Sequence, residues 1–301
     1  MQWIRDHNPN PEKARAYRTA LVITLAGNIL LAVGKGIVSY FSGSTALYAD
    51  TANSVADVIY SIAMVVGLWV AMQPPDLSHP QGHQRFEPLI GLVVSVTMGI
   101  AGYEALRTSI ERFFAGGEST APDLPTLILL VSAAFKAAMF FVIRNLASTT
   151  DSPTLRATAK DHLSDVLTSV AAFIGILGSN FLHPIADPVA GLLVSLWIFK
   201  AAFDAGKENL AFLTGAGADE ELRQKIIETA LDVPGVQQVH HMMSDYVGPK
   251  LLVDMHINLP GEASLDEVHE VTDRVIEALE NLPEVDRAYV HVEPFEQETQ
   301  Q

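Results

Sequence analysis

The chain contains no cysteine, which excludes disulfide frameworks, thiolate metal sites and cysteine nucleophiles together. Charge is scarce as well. Asp, Glu, Lys and Arg make up 18% of the 301 residues against 49% hydrophobic ones, too apolar a balance for an ordinary soluble protein of this length. Basic residues are the scarcer sign, 19 against 35 acidic, and that excess makes nucleic acid a poor partner. Neither a His-Glu-x-x-His helix nor a Gly-rich aspartyl motif occurs, which removes the usual signatures of an intramembrane hydrolase and leaves a non-enzymatic reading. The start, "MQWIRDHNPNPEKARAYR", is polar where a cleavable signal would be apolar.

Six apolar stretches of membrane-spanning length are present, at about 17–41, 45–72, 86–113, 124–145, 157–179 and 184–206, each near the ~20 residues that a bilayer core requires. Polar or Gly/Pro-bearing turns separate them, and an even number puts both termini on one side. Lys13, Arg15, Arg18, Arg85, Arg144, Arg156 and Lys207 flank the spans on that side, which the positive-inside rule makes cytoplasmic. Arg107 and Arg112, near the outer end of the third span, count against it.

The net charge is -2 over residues 1–206 and -14 over 207–301, so a membrane part is followed by an acidic, water-soluble part that either collects cations or is merely kept soluble. The second part reads as an αββαβ domain: a helix near 218–232, extended runs at "VQQVHHMM" and "LLVDMHINL", a helix started by the capping box Ser264 and Glu267, and a last strand "DRAYVHVEP". The expected organisation is an N-terminal segment over 1–16, a six-helix transmembrane domain over 17–206, a cytoplasmic α+β domain over 207–295 and a tail over 296–301. Fewer than 100 residues make a thin sheet that gains stability by pairing with a second copy.

Acids stand inside the spans. Asn53 and Asp57 are four apart, as are Asp161 and Asp165, so each pair shares one helix face. Facing each other, the two helices would gather three carboxylates and an amide, at a cost of about 8–10 kcal/mol if nothing compensated the acids. Protons, a bound cation, or fixed partners among Lys35, Lys136 and Lys160 are the candidates; Lys35 and Lys136 read as lysines close enough to span ends to snorkel. Asp50 shares roughly the face of Asp57 and is an outer-shell candidate or a helix-end cap, while His162 points about 100° from Asp161 and reads as a packing or proton-sharing neighbour.

Two further clusters carry metal-binding chemistry. In the first cytoplasmic loop, Asp76, His79 and His83 follow at +3 and +4, with Gly82 allowing the loop to wrap. The acidic domain holds His240, His241, His256, His269 and His291, with Glu293 on the same strand face as His291. Solvated histidines are the alternative in both places.

"ALYADTANSVADV", "HPQGHQRFEPL", "AKDHLSDVLTS" and "DPVAGLLVSL", followed by the acidic αββαβ segment, resemble the cation diffusion facilitator family from about residue 13 to 295. The resemblance implies six spans, a homodimer with a ferredoxin-like cytoplasmic domain, and export of divalent metal from the cytoplasm across the cell membrane against protons. It also implies a transport site at Asn53, Asp57, Asp161 and Asp165, a loop site at Asp76, His79 and His83, and a cytoplasmic-domain site at His240, His256, His269, His291 and Glu293. Zinc-moving members typically place histidine in the transport site, whereas this sequence offers Asn-x-x-x-Asp and Asp-x-x-x-Asp. An all-oxygen set suits a harder, six-coordinate ion than tetrahedral zinc. Mn2+ is therefore the expected substrate, as in the manganese-exporting branch that this arrangement resembles, with Fe2+ next and Zn2+, Co2+ or Cd2+ behind. A membrane-anchored sensor that binds metal without moving it is the alternative of another class.

Overall fold

The structure, a computed structural model, describes residues 11–42, 45–116, 124–150 and 152–295. It divides into a unit ending at Leu210 and a unit beginning at Ala211. The first is built on α1 (Pro11–Ser42), α2 (Thr45–Ala71), α3 (Phe86–Phe114), α4 (Leu124–Thr150), α5 (Pro153–Phe181) and α6 (Ala186–Leu213). Among the described residues five helical stretches are long and apolar enough to cross a membrane, and α2 adds the shorter apolar stretch Asp57–Ala71. The protein is thus an α-helical, multi-pass membrane protein. Several helices outrun the apolar stretches that predict them: α1 starts at Pro11, α4 continues to Thr150 and α6 to Leu213. The polar extensions of α1 and α6 carry good helix formers, and lipid is needed only around the middle of each helix. α5 starts where its chemistry requires, with the Ser152 hydroxyl accepting the Leu155 N–H at 3.0 Å and Pro153 at the first helical position.

The polarity of this unit is the reverse of a soluble bundle. Val22, Leu30, Trp69, Val96, Phe141 and Leu193 are exposed, whereas Thr24, Asn28, Lys35, Ser61, Glu87, Lys136 and His162 are buried. Only a hydrocarbon solvent favours that distribution. Buried hydroxyls on α5 satisfy themselves on the preceding turn, Thr158 on the Thr154 carbonyl at 2.9 Å and Ser164 on that of Lys160 at 2.9 Å. Met64 and Leu68 of α2, Ile143 and Ala147 of α4, and Leu155 and Ala159 of α5 close one apolar core with Tyr17, Ala20 and Leu21 of α1. At the start of α3 a buried carboxylate, Glu87, ties three helices together: it accepts the Tyr17 hydroxyl at 2.8 Å and that of Ser152, while its backbone carbonyl accepts Thr154. α3 and α6 meet along small residues, where a Cβ on Gly91 would collide with the Asn209 side-chain amide and one on Gly191 with the Ser109 hydroxyl. The two arginines that oppose the charge bias are neutralised locally, Arg107 by Glu111 at 3.0 Å and Arg112 by Asp187 at 3.2 Å.

The second unit has the expected αββαβ order: α7 (Glu220–Leu231), β1 (Gln238–Val247), β2 (Lys250–Leu259), α8 (Leu265–Glu280) and β3 (Val285–Pro294). The sheet runs β1-β2-β3, with β1 antiparallel and β3 parallel to β2. Gly248, at φ +71°, takes the left-handed turn of the β1–β2 hairpin, and Ser264 with Glu267 forms the expected capping box of α8. Alternation along β2 sorts its residues. Leu251, Val253, Met255, Ile257 and Leu259 are fully buried with Ile226 of α7 and Val275 and Leu279 of α8, which turns Asp254, His256 and Asn258 to the opposite, helix-free face.

Candidate metal sites

The acids of α2 and α5 converge on one point, and a lysine stands there. Lys136 Nζ, from α4, lies 2.9 Å from Asp57 Oδ2 and 2.7 Å from Asp165 Oδ2. The expectation that Lys136 snorkels from a span end is overturned: it sits midway along α4 and is 5% exposed. Lys160 pairs instead with Glu208 at 3.5 Å, beside an Arg156–Glu208 pair at 2.6 Å, and Lys35 is buried on α1.

Asp161 lies one turn before Asp165, and a ligand atom from each of Asp161, His162 and Asp165 falls within 4.8 Å of the others. His162 is therefore closer to the acids than its angular offset from Asp161 predicts. Its buried ring nitrogens make no hydrogen bond among the described residues. Asn53 lies one turn before Asp57 on α2, but its side chain, like that of Asp50, lies outside the described residues. Two polar residues that the sequence reading passed over brace this region. Ser61 Oγ donates to the Asp57 carbonyl at 2.7 Å, and Asn28 Nδ2 of α1 donates to Ser61 Oγ at 2.8 Å. Asn28 was visible as the lone amide in an apolar run, but nothing in its spacing tied it to α2.

A cavity of about 370 Å³ reaches Asp161 and Asp165 between α3, α5 and α6. Its other lining acids and base, Glu104, Arg112 and Asp187, belong to the C-terminal end of α3 and the N-terminal end of α6. That end of the bundle is opposite the 72–85 loop.

The loop itself gathers its predicted trio. Asp76 Oδ1 is 3.5 Å from His79 Nδ1, Asp76 Oδ2 is 3.6 Å from His83 Nε2, and the two rings are 4.4 Å apart. Gly82, at φ +98°, makes the turn between the histidines. The His79 backbone N–H, joined by that of Ser78, donates to the Asp76 carboxylate and holds it below the ordinary aspartate range.

On the helix-free face of the sheet, Glu293 is 3.4 Å from both His240 Nε2 and His256 Nδ1 and 3.8 Å from His291 Nε2. His256 and His291 are register partners on β2 and β3. A β-bulge between Val239 and His241 breaks the alternation of β1, so that His240 and His241 both reach His256, at ring separations of 5.5 and 4.8 Å. Asn258 Oδ1 fixes the His240 ring at 2.8 Å. His241, one of the five histidines noted in this domain, and Asn258 are additions to the set that the resemblance implies. His269 is not gathered within the chain: it stands exposed on α8, 3.7 Å from Asp273.

A membrane bundle with ionisable groups collected at its centre, followed by an acidic αββαβ unit bearing a histidine cluster, is the arrangement of a membrane protein that handles cations. Residues 21–214 match the family model of the cation efflux transmembrane domain and residues 218–295 that of the cation efflux protein cytoplasmic domain. The chain belongs to the cation efflux family and is a metal-cation transporter. It is similar to an uncharacterised transporter of Methanocaldococcus jannaschii, 34% identical over 93% of this chain and 99% of that protein. The manganese efflux system protein MneS of Bacillus subtilis is 30% identical over 92% of this chain and 95% of its own, and the magnetosome protein MamM of Paramagnetospirillum magneticum 31% over 84% and 80%.

Proposed function

We propose that the protein exports Mn2+ from the cytoplasm in exchange for protons, by alternating access to a site formed by Asn53, Asp57, Asp161 and Asp165. The observation that carries this reading is the convergence of Asp57 from α2 and Asp165 from α5 on a single cationic point deep in the bundle. Carboxylates at that depth are stable only when a cation or protons neutralise them. Metal and protons are thus alternative occupants of the same charges, and the bare site does not reorient; that exclusion is the coupling. The cavity that reaches Asp161 and Asp165 from the end opposite the 72–85 loop supports an outward-open path, with both termini on the cytoplasmic side of the cell membrane.

Oxygen donors from three carboxylates and an amide favour manganese over tetrahedral zinc, and the likeness to a relative named for manganese efflux supports the same ion. Fe2+ is the second substrate in this order, ahead of Zn2+, Co2+ and Cd2+. The 72–85 loop trio and the His240, His256, His291 and Glu293 cluster bind cytosolic metal, and the helix-free sheet face takes part in a homodimer in which that metal shifts the transport equilibrium.

Metal-by-metal uptake into proteoliposomes carrying a pH-sensitive dye tests the reading. The wild type moves Mn2+ fastest with counterflow of protons, and the double substitution Asn53→His with Asp161→His shifts the preference towards Zn2+ by about tenfold or more. Metal binding without flux of any of these ions would leave a sensor, not a transporter.

A further inference from the structure

Lys136 occupies the place where the cargo would sit. Its ammonium is within 2.9 Å of one carboxylate oxygen on α2 and 2.7 Å of one on α5, so those two oxygens face a single point from different helices. A dication held by the same two atoms lies about 2.0–2.6 Å from each. That position coincides with the ammonium, and the two cations exclude each other both by volume and by charge. The lysine is 5% exposed, so it is not a surface group that swings in from water. Nor are its partners an accident of one helix, since Asp57 and Asp165 are 108 positions apart in sequence and meet through this residue alone among the described ion pairs.

We infer that Lys136 is a tethered competitor of the transported ion: its ammonium closes the empty site by bridging α2 and α5, and a divalent cation must displace it to bind. The inference rests on the transport-site reading above. Lys136 is then a specificity-determining residue. A monovalent ion offers the two carboxylates no more charge than the lysine already supplies, whereas a dication does, so the tether screens out abundant monovalent cations. It offsets one of the three acidic charges of the emptied site, so that protons neutralise the remainder on the return step and the exchange stays coupled.

The test compares Mn2+ binding and Mn2+ flux of the full-length chain in wild type, Lys136→Gln and Lys136→Arg, with size-exclusion profile and Tm confirming the fold. Removing the competitor tightens Mn2+ binding by about tenfold or more while slowing steady-state flux, because the emptied site has lost its neutralising group. A merely structural lysine would not produce that opposite movement of affinity and rate. Lys136→Arg keeps a competing cation and binds Mn2+ no tighter than wild type within about threefold. Equal or weaker Mn2+ binding by Lys136→Gln overturns the inference; should that variant fail to fold, binding by Lys136→Arg tenfold tighter than wild type overturns it instead. Loss of the inference leaves wild-type Mn2+ flux intact, whereas absence of wild-type flux removes the transport reading itself.

Discussion

Replacing Asp165 by Ala reduces Mn2+-driven proton flux in proteoliposomes to the level of empty vesicles. Asp165 is the residue through which three features meet. Its Oδ2 holds Lys136 at 2.7 Å, its carboxylate falls with Asp161 and His162 in one potential ligand set, and it lines the cavity that leads out between α3, α5 and α6. Alanine removes one of the three carboxylates proposed to hold the ion, with an expected loss of ~100-fold in Mn2+ affinity, about 3 kcal/mol. It also leaves the buried ammonium with Asp57 alone as its direct ion-pair partner among the described residues. Asp273→Ala, an exposed acid on α8, transports as wild type and controls for reconstitution. Near-normal flux in Asp165→Ala with an unchanged Tm would refute the site.

Replacing Ile257 by Ala destabilises the C-terminal unit by about 2–5 kcal/mol. Ile257 is fully buried near the C-terminal end of β2, the middle strand of the sheet, in one apolar cluster with Val275 and Leu279 of α8 and Ile226 of α7. The cost is lost transfer energy plus the cavity left behind. The change has a functional reach because strand residues alternate: His256 and Asn258, on either side of Ile257, face the other way into the histidine cluster. A looser β2 therefore weakens metal binding on that face. Urea-dependent proteolysis of the full-length protein, following the C-terminal unit, reads the shift; His269→Ala, exposed on α8, stays within about 0.5 kcal/mol of wild type. A loss below about 1 kcal/mol for Ile257→Ala would mean that this core does not close as described.

The helices of the bundle were legible because apolar length is a direct consequence of bilayer thickness, and the αββαβ order because capping and alternation act locally. Ser264 with Glu267 forms the box that its spacing announces, and β2 buries the alternate residues that its pattern marks. The spacing of Asp57, Asp161 and Asp165 identified the acids that the structure brings near one another. What sequence could not supply was pairing between distant elements. Lys136 reads as a lone lysine in an apolar run, and only the packing of α4 against α5 and α1 reveals that it bridges acids on α2 and α5. His241 joins the sheet cluster through a bulge in β1, a property of strand pairing rather than of composition. His269 sits at a helical position facing away from the sheet, a direction that histidine counting ignores.

Anomalous scattering at the manganese edge, from crystals of the full-length chain grown with Mn2+, tests the central claim most directly. The account predicts a peak between α2 and α5, coordinated by Asp57, Asp161 and Asp165, with Lys136 withdrawn from the two carboxylates that it bridges in this structure. Manganese confined to the Asp76 loop or the histidine face of the sheet, with the lysine still bridging, would contradict it.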